Sequence, residues 1–133
     1  MRVFESGATR SDDKDKLRYE GFLNPLVTKR FCEYMHKHRI QSDGKLRDPD
    51  NWQKGMPIPQ YLASLSRHIE DIKLHLGGYS QETSDFLEDS ICASIFNLNG
   101  MLLEVMKQSG RANTSVFDRE PSQSRGSRNC FGN

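Results

Sequence analysis

One run of residues, from Leu87 to Val105, constrains this chain more than any other. Leu87, Ile91, Ile95, Leu98, Leu102 and Val105 recur at steps of three and four, which places them on one face of an α-helix. On the neighbouring face Asp85, Asp89, Cys92 and Phe96 follow at similar steps, so acids share a stripe with apolar groups. A helix that is apolar over most of its circumference is expected to be buried. Burying a carboxylate is costly unless it is paired or holds a metal. Upstream, a second periodic segment (Leu62, Leu65, Ile69, Ile72, Leu76) carries His68 and Asp71 one turn apart. Two facing helices with such groups predict a divalent-metal site in a bundle, drawn from Asp71, Asp85, Glu88 and Asp89.

The remaining chain sets the frame for that pair. Pro25 suits a first helical turn, and a helix is predicted from about Pro25 to His38 with Leu26, Phe31, Tyr34 and Met35 inward. From Gln41 to Pro59 the chain carries Gly44, Pro49, Gly55, Pro57 and Pro59, so no regular helix is expected to cross it. The second helix is predicted at about 59–76, ended by Gly77-Gly78, and the third at about 83–108, with Ser84 as its N-cap. Strand signals are nearly absent. The expectation is an all-α fold: a small bundle of three main helices with an irregular N-terminal arm and a long loop, completed by oligomerisation. It forms one domain over residues 1–108, because 133 residues leave room for one core. Residues 109–133, low in aliphatics and rich in Ser, Arg and Gly, are expected to be a disordered tail.

Composition excludes several classes. With 28% charged and 35% hydrophobic residues the chain reads as a soluble domain. No apolar run approaches the ~20 residues of a membrane span, and the first residues lack the apolar centre of a signal peptide. A formal net charge of +1 gives no basic face, so no nucleic-acid partner is expected. Three cysteines without CxxC spacing fit a reducing cytoplasm rather than a disulfide scaffold or zinc ribbon.

Four segments together carry a resemblance. They are Gly7-Ala8-x-Arg10-x-Asp12-Asp13 with Lys16-Leu17-Arg18-Tyr19; Asp50-Asn51-Trp52-Gln53-Lys54-Gly55; Tyr61-x-x-Ser64-Leu65-x-Arg67-His68-x-x-Asp71; and Glu88-Asp89-x-x-Cys92-Ala93-x-x-Phe96-Asn97. In this order and spacing, over roughly residues 7 to 106, the chain resembles a phage and bacterial group of small all-α nucleotide pyrophosphohydrolases. These are the dATP/dGTP diphosphohydrolases, distant relatives of the MazG-type enzymes. The resemblance implies Mg²⁺-dependent hydrolysis of a purine (deoxy)nucleoside triphosphate to the monophosphate and pyrophosphate. It also implies a homodimer or larger assembly, in the cytoplasm (the host's, if the chain is phage-encoded). The wider group binds magnesium through ExxE and ExxD clusters, which fall here on His68-x-x-Asp71 and Phe86-x-x-Asp89. His68 and Phe86 thus stand where acids would be expected, with Asp85 and Glu88 close enough in sequence to compensate.

On that reading His68, Asp71 and Asp89 are the catalytic candidates, and Asp71, Asp85, Glu88 and Asp89 hold Mg²⁺, with Mn²⁺ an acceptable substitute. Magnesium takes oxygen ligands, keeps several waters and activates one of them for attack on phosphorus. Lys16, Arg18, Lys54 and Arg67 are candidates for phosphate contacts, Trp52 for stacking on a purine, and Asn51 and Asn97 for other substrate contacts. Each has a plainer account. Asp85 compensates a helix dipole, Glu88 is a solvated acid, His68 a satisfied core histidine, Trp52 a plug at the bundle end, and Asn97 a partner for a buried backbone group. His75, His36, His38 and Glu70 read as surface. Two further classes compete with the enzyme: a non-catalytic phage accessory or binding module on the same fold, and a nucleic-acid binder using Arg111, Arg119, Arg125 and Arg128.

Overall fold

The computed structural model describes residues 1–111. The tail expected over 109–133, with Arg119, Arg125, Arg128 and Cys130, lies outside them apart from its first three residues. Three helices make up the body: α1 (Pro25–Lys37), α2 (Ile58–Leu76) and α3 (Ser84–Gln108). The all-α expectation holds, with boundaries within a residue or so of those read from the sequence.

The ends of the helices follow local chemistry. Asn24 caps α1, its Oδ1 accepting from the amides of Leu26 and Val27 at 2.9 and 3.3 Å, with Pro25 as the first helical residue. Gly77 closes α2, and Gly78, at φ +80°, turns the chain away. The cap of α3 is Thr83 rather than Ser84; its Oγ1 accepts from the Phe86 amide at 3.4 Å. Either hydroxyl can cap, and the extended backbone at Thr83 selects it.

Two small departures lie outside the helices. The N-terminal arm is not wholly irregular: β1 (Arg2–Val3) pairs antiparallel with β2 (Thr9–Arg10). An Arg2–Asp13 ion pair and the contact of the N-terminal ammonium with Asp12 at 3.3 Å add to this hairpin. In the long connector, Ile40 and Leu46 bridge each other, and residues Asn51–Lys54 make one 3-10 turn. Prolines and glycines do keep an α-helix out of the connector, but they permit this single turn.

The main packing is α2 against α3, and its buried face is not the expected one. Tyr61 is 1% exposed, and its ring lies on Gly100, where an added Cβ would approach Tyr61 Cε1 to 2.4 Å. Around this contact α3 buries Ser90, Ala93, Ser94 and Asn97, small or polar side chains that let the helices approach closely. The aliphatic stripe is only partly covered: Leu87, Ile95 and Val105 are half-buried, while Ile91, Leu98 and Leu102 are 41%, 51% and 58% exposed. Within one chain, α3 is therefore most deeply buried on its small-residue side and part-open on its aliphatic side. α1 meets α3 through fewer residues than α2 does, so its docking depends more on side-chain pairs.

Candidate functional site

Two clefts flank α1. The smaller, about 320 Å³, is lined by Arg30, Glu33, Tyr34 and Lys37 of α1 and by Asp85 and Asp89 of α3. Helical spacing does place Asp85 and Asp89 together, as expected. The sequence reading missed what faces them. Arg30 donates from Nε to Glu88 Oε1 and from Nη2 to Asp89 Oδ1, both at 2.8 Å, and Lys37 Nζ donates to Asp89 Oδ2. Arg30 and Lys37 are seven residues apart with Tyr34 between them, so one face of α1 presents both cations to α3. Partial burial works to raise the Asp89 pKa, but the bonds from Lys37 and Arg30 outweigh it and hold the carboxyl below its usual range. In the same contacts Asp89 and Glu88 push the Arg30 guanidinium above its ordinary value.

The proposed metal ligands are therefore not gathered. Asp89 and Glu88 are neutralised by α1, and Asp85 is exposed in the first turn of α3. Asp71 is half-buried on α2 and makes no hydrogen bond or ion pair among the described residues. No three His, Cys, Asp or Glu side chains among those residues are placed to hold a metal ion. The acids of one chain do not fit a magnesium site as they stand. His68 is half-buried and near enough to His38 to bear on its charge.

The larger cleft, about 750 Å³, has a different character. Phe31, Tyr34, Met35, Trp52, Met56, Tyr61 and Phe96 give it an apolar, largely aromatic wall. Trp52 and Tyr61 both meet the Phe96 ring edge-on, at centroid distances of 6.4 and 6.1 Å. At the rim stand His36, His38, Arg39, Arg47 and Lys54, with Asp48 as the one acid among the lining residues. The two arginines are held by backbone: Arg39 Nε donates to Arg47 O at 2.7 Å, and Arg47 Nη1 donates to His38 O at 3.0 Å. Neither they nor Lys54 forms an ion pair among the described residues, so their charge is left for something else. His38 stacks obliquely on Tyr34 at 4.4 Å, and burial, with Lys37 beside it, lowers its pKa.

The substrate-contact candidates divide accordingly. Asn51, Trp52 and Lys54 line this pocket. Lys16 and Arg18 do not; they are exposed on the arm and pair with Asp13 at 3.1 Å and Glu20 at 3.7 Å. Arg67 is exposed and donates to Ser64 Oγ at 3.1 Å. Asn97 is buried and donates from Nδ2 to the Ala93 carbonyl at 2.8 Å, while its Oδ1 has no partner among the described residues; the pocket takes Asn99 instead. His36 and His38, read as surface, are exposed and also border the pocket, and Glu70 is on the surface, paired with Lys73 at 3.0 Å. Arg39 and Arg47 escaped notice because they bracket a connector whose path only the fold sets. Their one signal was two arginines flanking a Gly-containing turn just before Trp52.

Comparison with protein families, with curated proteins and with solved structures finds no match for this chain. No helix among the described residues is long and apolar enough to cross a membrane.

Proposed function

We propose that the larger pocket binds a purine (deoxy)nucleoside triphosphate, and that an assembly of this chain hydrolyses it to the monophosphate and pyrophosphate with Mg²⁺. The observation that carries the binding is an aromatic wall next to two arginines anchored by backbone and neutralised by no carboxylate among the described residues. A base stacks on aromatic faces, and guanidinium groups take phosphate oxygens in paired hydrogen bonds. A cleft of this volume suits a ligand of nucleotide size.

Hydrolysis rests on the resemblance, and it requires a fuller set of acids than one chain assembles. The open aliphatic side of α3, with Leu62 and Ile69 of α2 also exposed, supports a homodimer or higher homo-oligomer, since apolar patches of this kind mark interfaces. In such an assembly the ligands for Mg²⁺ or Mn²⁺ would come from Asp71, which pairs with no cation among the described residues, and Asp85, joined by Asp89 only once it leaves Arg30 and Lys37. Free Cys32 and Cys92 fit the cytoplasm, where such substrates occur.

The closed state of Asp89 favours a second reading, a nucleotide-binding accessory module without turnover. Incubating the full chain with each dNTP and Mg²⁺ separates the two. Pyrophosphate above a buffer control supports the hydrolase, and purine nucleotide binding without pyrophosphate supports the module. Absence of nucleotide binding at millimolar ligand would overturn both. Leu98→Glu, on the open stripe, should shift the sedimentation of the wild-type assembly to that of a single chain; a wild-type chain that sediments as a monomer removes the oligomer.

A further inference from the structure

Lys107, in the last turn of α3, is 5% exposed. A lysine at a helix C-terminus ordinarily reaches into water beside the last carbonyls, and burying its ammonium is unfavourable unless it is paired and hydrogen-bonded. Lys107 Nζ donates to the Gln53 carbonyl at 2.6 Å and to Glu104 Oε1 at 2.9 Å. Gln53 lies inside the 3-10 turn that carries Trp52. Immediately after that turn Gly55 takes φ +86°, and a Cβ built there would lie 1.9 Å from Glu104 Oε1 and 3.2 Å from Lys107 Nζ. The connector backbone is thus pressed onto the Lys107–Glu104 pair, through a contact that joins residues 54 apart in sequence.

We propose that Lys107 is a positioning residue for the pocket: its ammonium clips the Gln53 carbonyl and so fixes the Trp52 indole as the wall on which a base stacks. This rests on the nucleotide reading of the pocket and adds to it a division of labour. Arg39 and Arg47 are anchored separately, by their bonds to Arg47 O and His38 O. The clip therefore governs how the base is held and leaves the two arginine contacts to phosphate alone.

Trp52 is the only tryptophan, so its fluorescence reports the turn directly. Wild type, Lys107→Met and Gly55→Ala are titrated with dATP, dGTP and inorganic tripolyphosphate, and the anisotropy decay of the indole is recorded without ligand. Lys107→Met should weaken dNTP binding on the order of tenfold, the scale of one lost base–aromatic stack, keep tripolyphosphate binding, and free the indole. Gly55→Ala, which strains the backbone at φ +86° and drives a Cβ onto the Glu104 carboxylate with Lys107 in place, should give the same split and stands in if Lys107→Met does not fold. Unchanged dNTP affinity, or an equal loss for dNTP and tripolyphosphate, would overturn the positioning role. If wild type binds neither ligand the nucleotide reading fails, and an indole no freer in the variants than in wild type then overturns the clip as well.

Discussion

The two clefts on either side of α1 use the same ingredients, cationic side chains near polar or aromatic walls, and arrive at opposite states. In the smaller one Arg30 and Lys37 meet Asp89 and Glu88, so positive and negative charge cancel within the chain. In the larger one Arg39 and Arg47 are held by carbonyls, which fix a guanidinium without neutralising it. A closed ion pair holds two elements together, whereas an oriented but uncompensated cation waits for an anion. The contrast teaches that counting charged residues near a cleft says little about binding until each charge has been followed to its partner.

The contrast can be broken first at the floor of the larger pocket. Tyr61→Ala removes the ring seated on Gly100 and should destabilise the domain by about 3–5 kcal/mol, as large-to-small changes of buried aromatics do; chemical denaturation checks it. Next, replacing both Arg39 and Arg47 by Ala should weaken triphosphate binding on the order of a hundredfold, since hydrogen bonds to charged groups contribute about 1.5–3 kcal/mol each. Calorimetric titration, with circular dichroism as the control for folding, reads that loss. Equal affinity in the double variant would mean that the open charges are not the binding groups.

Asp89→Asn sharpens the comparison from the other side. It should lower the melting temperature by a few degrees, because Arg30 and Lys37 lose their shared partner, and leave nucleotide affinity in the larger pocket unchanged. If the assembly hydrolyses nucleotide through Asp89, pyrophosphate release should fall to background in the same variant. The pH dependence follows with its sign. The folded Asp89 pKa is depressed below that of an unfolded aspartate, so its stabilising contribution is complete above the unfolded value and is lost as pH falls through the lower folded pKa. Between pH 5 and the onset of acid unfolding, wild type should therefore lose more stability than Asp89→Asn, the smallest of these effects. Parallel denaturation curves for the two proteins over that range would show that the pair contributes nothing.

Much of the backbone was legible. Pro25, the Pro and Gly residues of the connector and Gly77-Gly78 punctuate the chain, and apolar spacing between them marks α1, α2 and α3, because local sterics and hydrogen bonding set helix ends. The juxtaposition of Asp85 and Asp89 was legible for the same reason. Which side of α3 would be buried was not: Gly100 and its small neighbours admit Tyr61 and the α2 backbone more closely than the branched side chains of Leu98 or Leu102 do. Hydropathy ranks residues by their aversion to water and does not record how closely two helices can approach. The partner of Asp89 was hidden too, since pairing with residues 59 and 52 positions away depends on how α1 is laid across α3.

Sequence by itself determined three helices, their limits and the acids that share a face, all consequences of interactions within a few residues of chain. Tertiary structure alone decided that those acids meet cations, that a distant lysine meets the Trp52 turn, and that Arg39 and Arg47 form no ion pair among the described residues. Packing contacts and hydrogen bonds act over a few ångströms and screened charges over about 10 Å, and only the fold brings residues from separate helices and the connector inside those ranges.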